Sequence, residues 1–189
     1  MLVAFYVLLA YLVGSIPFGV IVSTLLADAD VMEKGSHNIG ATNVLRVVGP
    51  RYGAYTLLLD ILKGLLPTAL TPYLFPGAWL LPGVVAIAAL VGHCWSCYLE
   101  FRGGKGVATG AGALLALSPL SFVVLAGLWG LVFAVWRKAS LAALVVAVVL
   151  PFLVFFLSPA NTWVGVVLAL VIVVRHRENI RRLVAGREL

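Results

Sequence analysis

Charge is what this sequence has least of. Only 11% of its 189 residues are Asp, Glu, Lys or Arg, and of these just seven are acidic; there are three histidines and two cysteines. With 63% hydrophobic residues and a mean hydropathy of +1.13, a soluble core of this size could not hide the apolar surface, so a soluble domain is excluded and a bilayer protein is expected. The acids Asp28, Asp30, Glu33, Glu100, Glu178 and Glu188 are scattered among loops, which argues against a two-metal phosphotransferase site. Cys94 and Cys97 form a Cys-x-x-Cys, but no second Cys/His pair completes a zinc site and no βαβ unit supports a thioredoxin-like motif. They are expected to be reduced thiols. No bound metal or cofactor is expected, and no serine or cysteine triad is visible.

What is present is a succession of apolar runs. The first, Met1 to Ala27, lacks a basic region before it, so it is expected to be an uncleaved first spanning helix. Further runs lie at Tyr52–Phe75, Ala78–Leu99, Val107–Leu117, Pro119–Trp136, Leu141–Leu157 and Thr162–Val174. Splitting Val107–Trp136 at Ser118-Pro119 gives seven spans with the N-terminus outside and the C-terminus cytoplasmic. Lys34, Arg46, Arg51, Arg102, Lys105, Arg137, Lys138 and the five arginines after Val174 then all fall on the cytoplasmic side, and the outer loops hold no Lys or Arg. Merging the two runs would move Arg137, Lys138 and the basic tail outside. The predicted fold is therefore all-α: a single integral membrane domain over 1–189, a bundle of seven transmembrane helices. Its fourth helix is short or re-entrant, since eleven residues rise only about 17 Å against a hydrocarbon core of about 30 Å. Irregular backbone at that depth needs protein or a water-filled cavity beside it, so a polar pocket is expected near Gly103–Gly106.

Three polar cassettes interrupt the apolar chain: residues 35–43 (GSHNIGATN), 101–106 (FRGGKG) and 175–183 (RHRENIRRL). All three lie on the predicted cytoplasmic side, and their cations, glycines, hydroxyls and amides suit phosphate. In the first, Gly35 and Gly40 allow close approach, Ser36, Asn38, Thr42 and Asn43 supply hydroxyl and amide groups, and Arg46 adds a planar fork. An ordinary interhelical turn would have the same composition. In the second, Gly103, Gly104 and Gly106 surround Lys105; no Ser or Thr follows the lysine and no strand precedes it, so this is no nucleotide-binding P-loop but a flexible turn aiming one cation. In the third, His176 and Asn179 share a helix face with Ile180 and Leu183, while Glu178 can pair with Arg182 at i, i+4. A basic tail lying on anionic lipid would explain those arginines but not the His/Asn pair. Asp60 and Lys63, inside the second run, are expected to neutralise each other facing the bundle.

None of the three histidines is followed by Asp five residues later, so the His-x4-Asp dyad of acyl-CoA-dependent glycerolipid acyltransferases is missing. The segments at 35–43, Gly92-His93 with 101–109, and 175–183 instead resemble the three signature motifs of the bacterial acyl-phosphate:glycerol-3-phosphate acyltransferases. Asp60-Ile-Leu-Lys63-Gly64 is similar to that family's second helix. The likeness runs the length of the chain, departing at His37, where a glycine is common, and at Cys94 to Tyr98.

The resemblance implies transfer of a fatty acyl group from acyl phosphate to the sn-1 hydroxyl of glycerol 3-phosphate, giving lysophosphatidic acid and phosphate. It implies membrane lipid and an acyl-phosphate-producing enzyme as partners, with no nucleic acid partner. Catalytic candidates are Lys105, Arg46, His176 and Asn179. Substrate-binding candidates are Ser36, Asn38, Gly40, Thr42, Asn43, Gly103 and Gly104. For His176 two roles stay open, a general base or a hydrogen-bond donor with a substrate phosphate taking the proton. A small membrane transporter for phosphate or another anion is the alternative; it would need a polar path through the charge-free outer loops.

Overall fold

The computed structural model describes residues 1–188, and among them every regular element is helical. Ten α-helices follow one another: α1 Leu2–Ser15, α2 Phe18–Ala27, α3 Ala41–Val48, α4 Pro50–Leu74, α5 Leu81–Cys94, α6 Val107–Leu117, α7 Pro119–Trp136, α8 Ala139–Leu157, α9 Thr162–Arg175 and α10 Arg177–Val184. The single helix expected over 1–27 is thus corrected to two. Pro17 has no N–H and drives Ile16 out of the helical region, to a ψ of 119°. Taken end to end, Leu2–Ala27 is still long and apolar enough to cross a membrane. The same proline rule acts at Ser118, where ψ is 80° and the chain turns from α6 into α7 at the expected place.

Five segments are long and apolar enough to cross a bilayer, and a sixth is gained if Pro159–Arg175 and Arg177–Val184, bent by 60° at His176, count as one. The remaining apolar helix, α6, has only eleven residues. Two further expectations are revised. The last three residues of the first polar cassette, Ala41 to Asn43, are the start of a helix, α3, and the third cassette is broken by the bend at His176.

The polarity of the bundle is inverted relative to a soluble protein. Phe152 and Phe156 are 65% and 75% exposed, whereas Asp60 and Lys63 on α4 are 1% and 3% exposed. That surface matches lipid, and the chain is a multi-pass membrane protein. The Asp60–Lys63 pair forms as expected, at 2.8 Å, and Lys63 Nζ also donates to the Ile16 carbonyl, at the α1–α2 break, at 2.8 Å. Two unpaired charges there would each cost several kcal/mol; paired, they tie α4 to the break.

Without a hydrophobic drive between helices in lipid, association relies on close packing of small residues. On the α4–α6 crossing, a Cβ on Gly64 would strike the Thr109 carbonyl and one on Gly112 would strike the Ile61 carbonyl, so the backbones meet directly. Beyond this seam, α5 to α9 close around Leu90, Leu114, Leu125, Leu150, Val154 and Leu168. The fixed α4–α6 seam sets where α6 begins, and its first residue is two positions after Lys105.

Candidate active site

All three cassettes meet. A hollow of about 620 Å³ has a polar end bordered by Ser36, Asn38, Thr42, Arg46, Lys105 and His176. An apolar arm of the same hollow runs between α7, α8 and α9, along Phe122, Leu125, Trp129, Phe133, Val146 and Leu150. A smaller space of about 340 Å³ shares Ser36, Asn38, Lys105, Asn179 and Arg182. Residues more than a hundred positions apart in sequence therefore face one volume.

The first cassette is shaped by Asn43, which is buried and makes four hydrogen bonds. Its Nδ2 donates to the carbonyls of Val31 (2.8 Å), Lys34 (3.1 Å) and Asn38 (2.8 Å), and its Oδ1 accepts from the Ser36 N–H (2.7 Å). An amide so committed braces the loop and sets Ser36 and Asn38 at the hollow. Asn38 Oδ1 accepts from the Gly40 N–H at 3.0 Å, which closes the turn into α3. Gly40, Thr42 and Arg46 follow on or beside α3 and also border the hollow.

The second cassette differs from the flexible turn expected. Gly103 and Gly104 are buried behind Lys105 and border neither space. The Gly104 N–H is committed to the His93 carbonyl at 2.9 Å, and a Cβ on Gly104 would run into the His93 ring. From the other side Arg175 donates through Nη2 to the Gly103 carbonyl (2.7 Å) and through Nε to the Gly104 carbonyl (2.9 Å). Burial favours the neutral amine of Lys105 and lowers its pKa to about 8; nearby Glu188 opposes this, while Arg182, Arg46 and Arg175 add to it.

In the third cassette His176, at the break between α9 and α10, and Asn179, on α10, are both buried and border the hollow. Burial is the main reason that the His176 pKa falls to about 4, with the Lys105 charge contributing and a bond to the Ile172 carbonyl opposing. The ring is therefore neutral near pH 7. Its Nδ1 lies 2.8 Å from the Ile172 carbonyl, which can only accept, so Nδ1 carries the proton and Nε2 keeps a lone pair. A neutral ring in that tautomer offers an acceptor at Nε2. Asn179 Nδ2 donates to Glu188 Oε1 at 2.6 Å, and its buried Oδ1 has no partner. The Glu178–Arg182 pair is not formed: Glu178 meets Arg181 at 3.3 Å, and Arg182 meets Glu188 at 2.8 Å.

Four participants escaped the sequence reading. Glu188 returns from the tail to hold Asn179 and Arg182, and these donors together with Ser140 keep its carboxyl below the usual range despite burial. Ser140, buried at the start of α8, borders the hollow directly after the basic flank Arg137-Lys138. Arg175, one cation among several in the third cassette, turns back onto the glycine turn, a direction that its sequence position does not mark. His93, whose Nδ1 is 3.7 Å from Asp60 Oδ1, walls the glycine turn. The site thus offers cations for more than one anionic group, two buried acceptors for a hydroxyl, and an apolar arm for a chain.

The glycerol-3-phosphate acyltransferase family profile matches residues 4–186. A glycerol-3-phosphate acyltransferase of Syntrophotalea carbinolica is 42% identical over 189 residues, covering 98% of this chain and 96% of the relative. Two crystal structures of PlsY, an integral membrane glycerol 3-phosphate acyltransferase, superpose over the whole chain and 95% of theirs. Its glycerol 3-phosphate form gives a TM-score of 0.93 at 35% identity, and its lysophosphatidic acid form 0.91 at 34%.

Proposed function

Since the chain belongs to the glycerol-3-phosphate acyltransferase family, we propose that it moves a fatty acyl group from acyl phosphate to the sn-1 hydroxyl of glycerol 3-phosphate. The observation that carries this reading is the single hollow joining a cation-rich polar end to an apolar arm. Two phosphates and one acyl chain fit its chemistry.

In this scheme the hydroxyl oxygen attacks the acyl carbonyl carbon, an ester C–O bond forms, and the bond to the phosphate oxygen breaks. Phosphate leaves with the electron pair, and the hydroxyl proton passes to a phosphate oxygen. Phosphate is a good leaving group, so orientation and charge stabilisation suffice. Lys105 and Arg46 hold phosphate oxygens and spread the developing charge. Ser36, Asn38 and Thr42 hydrogen-bond the polar substrate. Nε2 of His176 and Oδ1 of Asn179 accept from hydroxyls of glycerol 3-phosphate and hold the attacking oxygen in line. His176 stays neutral throughout, because a group that titrates near pH 4 is a poor proton acceptor at neutrality. Gly40 keeps the loop close to the substrate. Asn43, Gly103 and Gly104 act from behind, by fixing Ser36 and Lys105. In the bacterial inner membrane we assign seven crossings, with α6 as the short fourth, the N-terminus outside and the site facing the cytoplasm, where an acyl-phosphate-producing enzyme supplies the donor.

Purified protein should turn over acyl phosphate and glycerol 3-phosphate in chelator, releasing one phosphate per lysophosphatidic acid. Acyl-CoA should not replace acyl phosphate. Robust acyl-CoA activity, or loss of turnover in chelator, would defeat this reading.

A further inference from the structure

We propose that Arg175 is a positioning residue for Lys105: it clamps the two peptide carbonyls that precede the lysine and so fixes where the ammonium stands. The inference rests on the reading above, in which Lys105 grips phosphate. Arg175 is the last residue of α9, and its fork spans Gly103 and Gly104, with Nη2 and Nε donating to their carbonyls at 2.7 and 2.9 Å. Its guanidinium carbon sits 5.3 Å from the centre of the Trp95 ring, which limits motion out of the plane. The opposite side of the turn is closed by His93, through its carbonyl bond to the Gly104 N–H and the ring against Gly104. Lys105 is thus the next residue after a peptide unit held from both faces.

The geometry needs an arginine. Lysine carries one compact charge on a flexible stem and cannot bond two carbonyls in a fixed plane while stacking on an indole. Arg175 borders only the smaller space, while Lys105 borders both, so the contact that matters for Arg175 is with backbone. Misplacement of an orienting group by about 1 Å can cost about a hundredfold in rate.

A double-substitution cycle in acyl-phosphate turnover tests this. Arg175→Ala should lower kcat/KM by about ten- to a hundredfold, and Arg175→Lys should recover only a small part of it. In a Lys105→Ala background, Arg175→Ala should cost less than about threefold more, because the group it positions is gone. The charges facing Lys105 are Glu188, Arg182, Arg46 and Arg175, with neutral His176 beside them. Removing one cation and loosening the turn should therefore move the alkaline limb of the pH profile upward from about 8. Additive losses, or an unmoved limb, would overturn the clamp. Full activity in Lys105→Ala alone would instead overturn the functional reading. Should Arg175→Ala fail to fold in detergent, Trp95→Ala and Trp95→Phe carry the test: the first should couple to Lys105→Ala in the same way, and the second should retain most of the activity.

Discussion

Lys105 and Arg46 are expected to act in ground and transition states alike, so Lys105→Ala and Arg46→Ala should each cost about 2–4 kcal/mol of transition-state stabilisation, read from kcat/KM. Ser36→Ala and Asn38→Ala should be milder and fall mainly on KM for glycerol 3-phosphate. The pH dependence separates the charged groups. Lys105 titrates near 8, so the cation is present below that pH and is lost as pH rises through it; phosphate binding should weaken on the alkaline side. His176 titrates near 4 and contributes no limb at neutrality. A phosphate monoester loses its last proton near pH 6, so the acidic limb belongs to substrate and should persist in His176→Asn. Its disappearance in that variant would mean that the imidazole is the base after all. At this scale the sequence was legible in residue types and mute about their direction. Asn43 and Asn38 are chemically alike, yet the first is spent on three backbone carbonyls and an N–H while the second makes one side-chain bond to the Gly40 N–H, and only the third dimension separates them.

At the scale of elements, the boundaries that proline governs were readable. Ser118-Pro119 ends α6 and starts α7 as expected, because a residue before proline avoids the helical region whatever surrounds it. The same rule acts at Ile16-Pro17, where a continuous apolar run conceals the break in the sequence. Helix α3 was hidden for a different reason: Gly, Asn and Thr in its neighbourhood favour turns, and what holds its start is Asn43 reaching back twelve positions to Val31. The α4–α6 seam makes a direct prediction. Gly112→Val should destabilise the protein by about 1–3 kcal/mol through collision with the Ile61 backbone, seen as a lower Tm in detergent. Gly127→Val on α7, where a Cβ meets nothing within 4 Å, serves as the control and should leave Tm unchanged. Equal effects at the two positions would rule out a backbone contact at the seam.

For the whole molecule, the proposed topology puts every basic loop on one side. In a Cys94→Ala/Cys97→Ala background, single cysteines at the exposed positions Lys34, Arg102 and Arg177 should resist an impermeant thiol reagent in intact cells and react after permeabilisation. Cysteines at Gly77 and Ala160, also exposed, should react in intact cells. Reaction of the first group from outside would refute the arrangement. The overall hydropathy made the bundle legible, but the tail's return through Glu188 was not, since nothing local marks a carboxylate that finds its partners only after folding. The eleven residues of α6 have a consequence for how the donor is reached. A helix rising about 17 Å leaves roughly 13 Å of a 30 Å hydrocarbon layer uncrossed, and Lys105 stands at its inner end. On the proposed topology the reacting carbonyl meets the polar substrate below the headgroups, at the depth where a membrane-dissolved chain already lies. Each methylene drawn up into water would cost about 0.8 kcal/mol, and a sunken site removes that cost by bringing the water-soluble partner down to the lipid-soluble one.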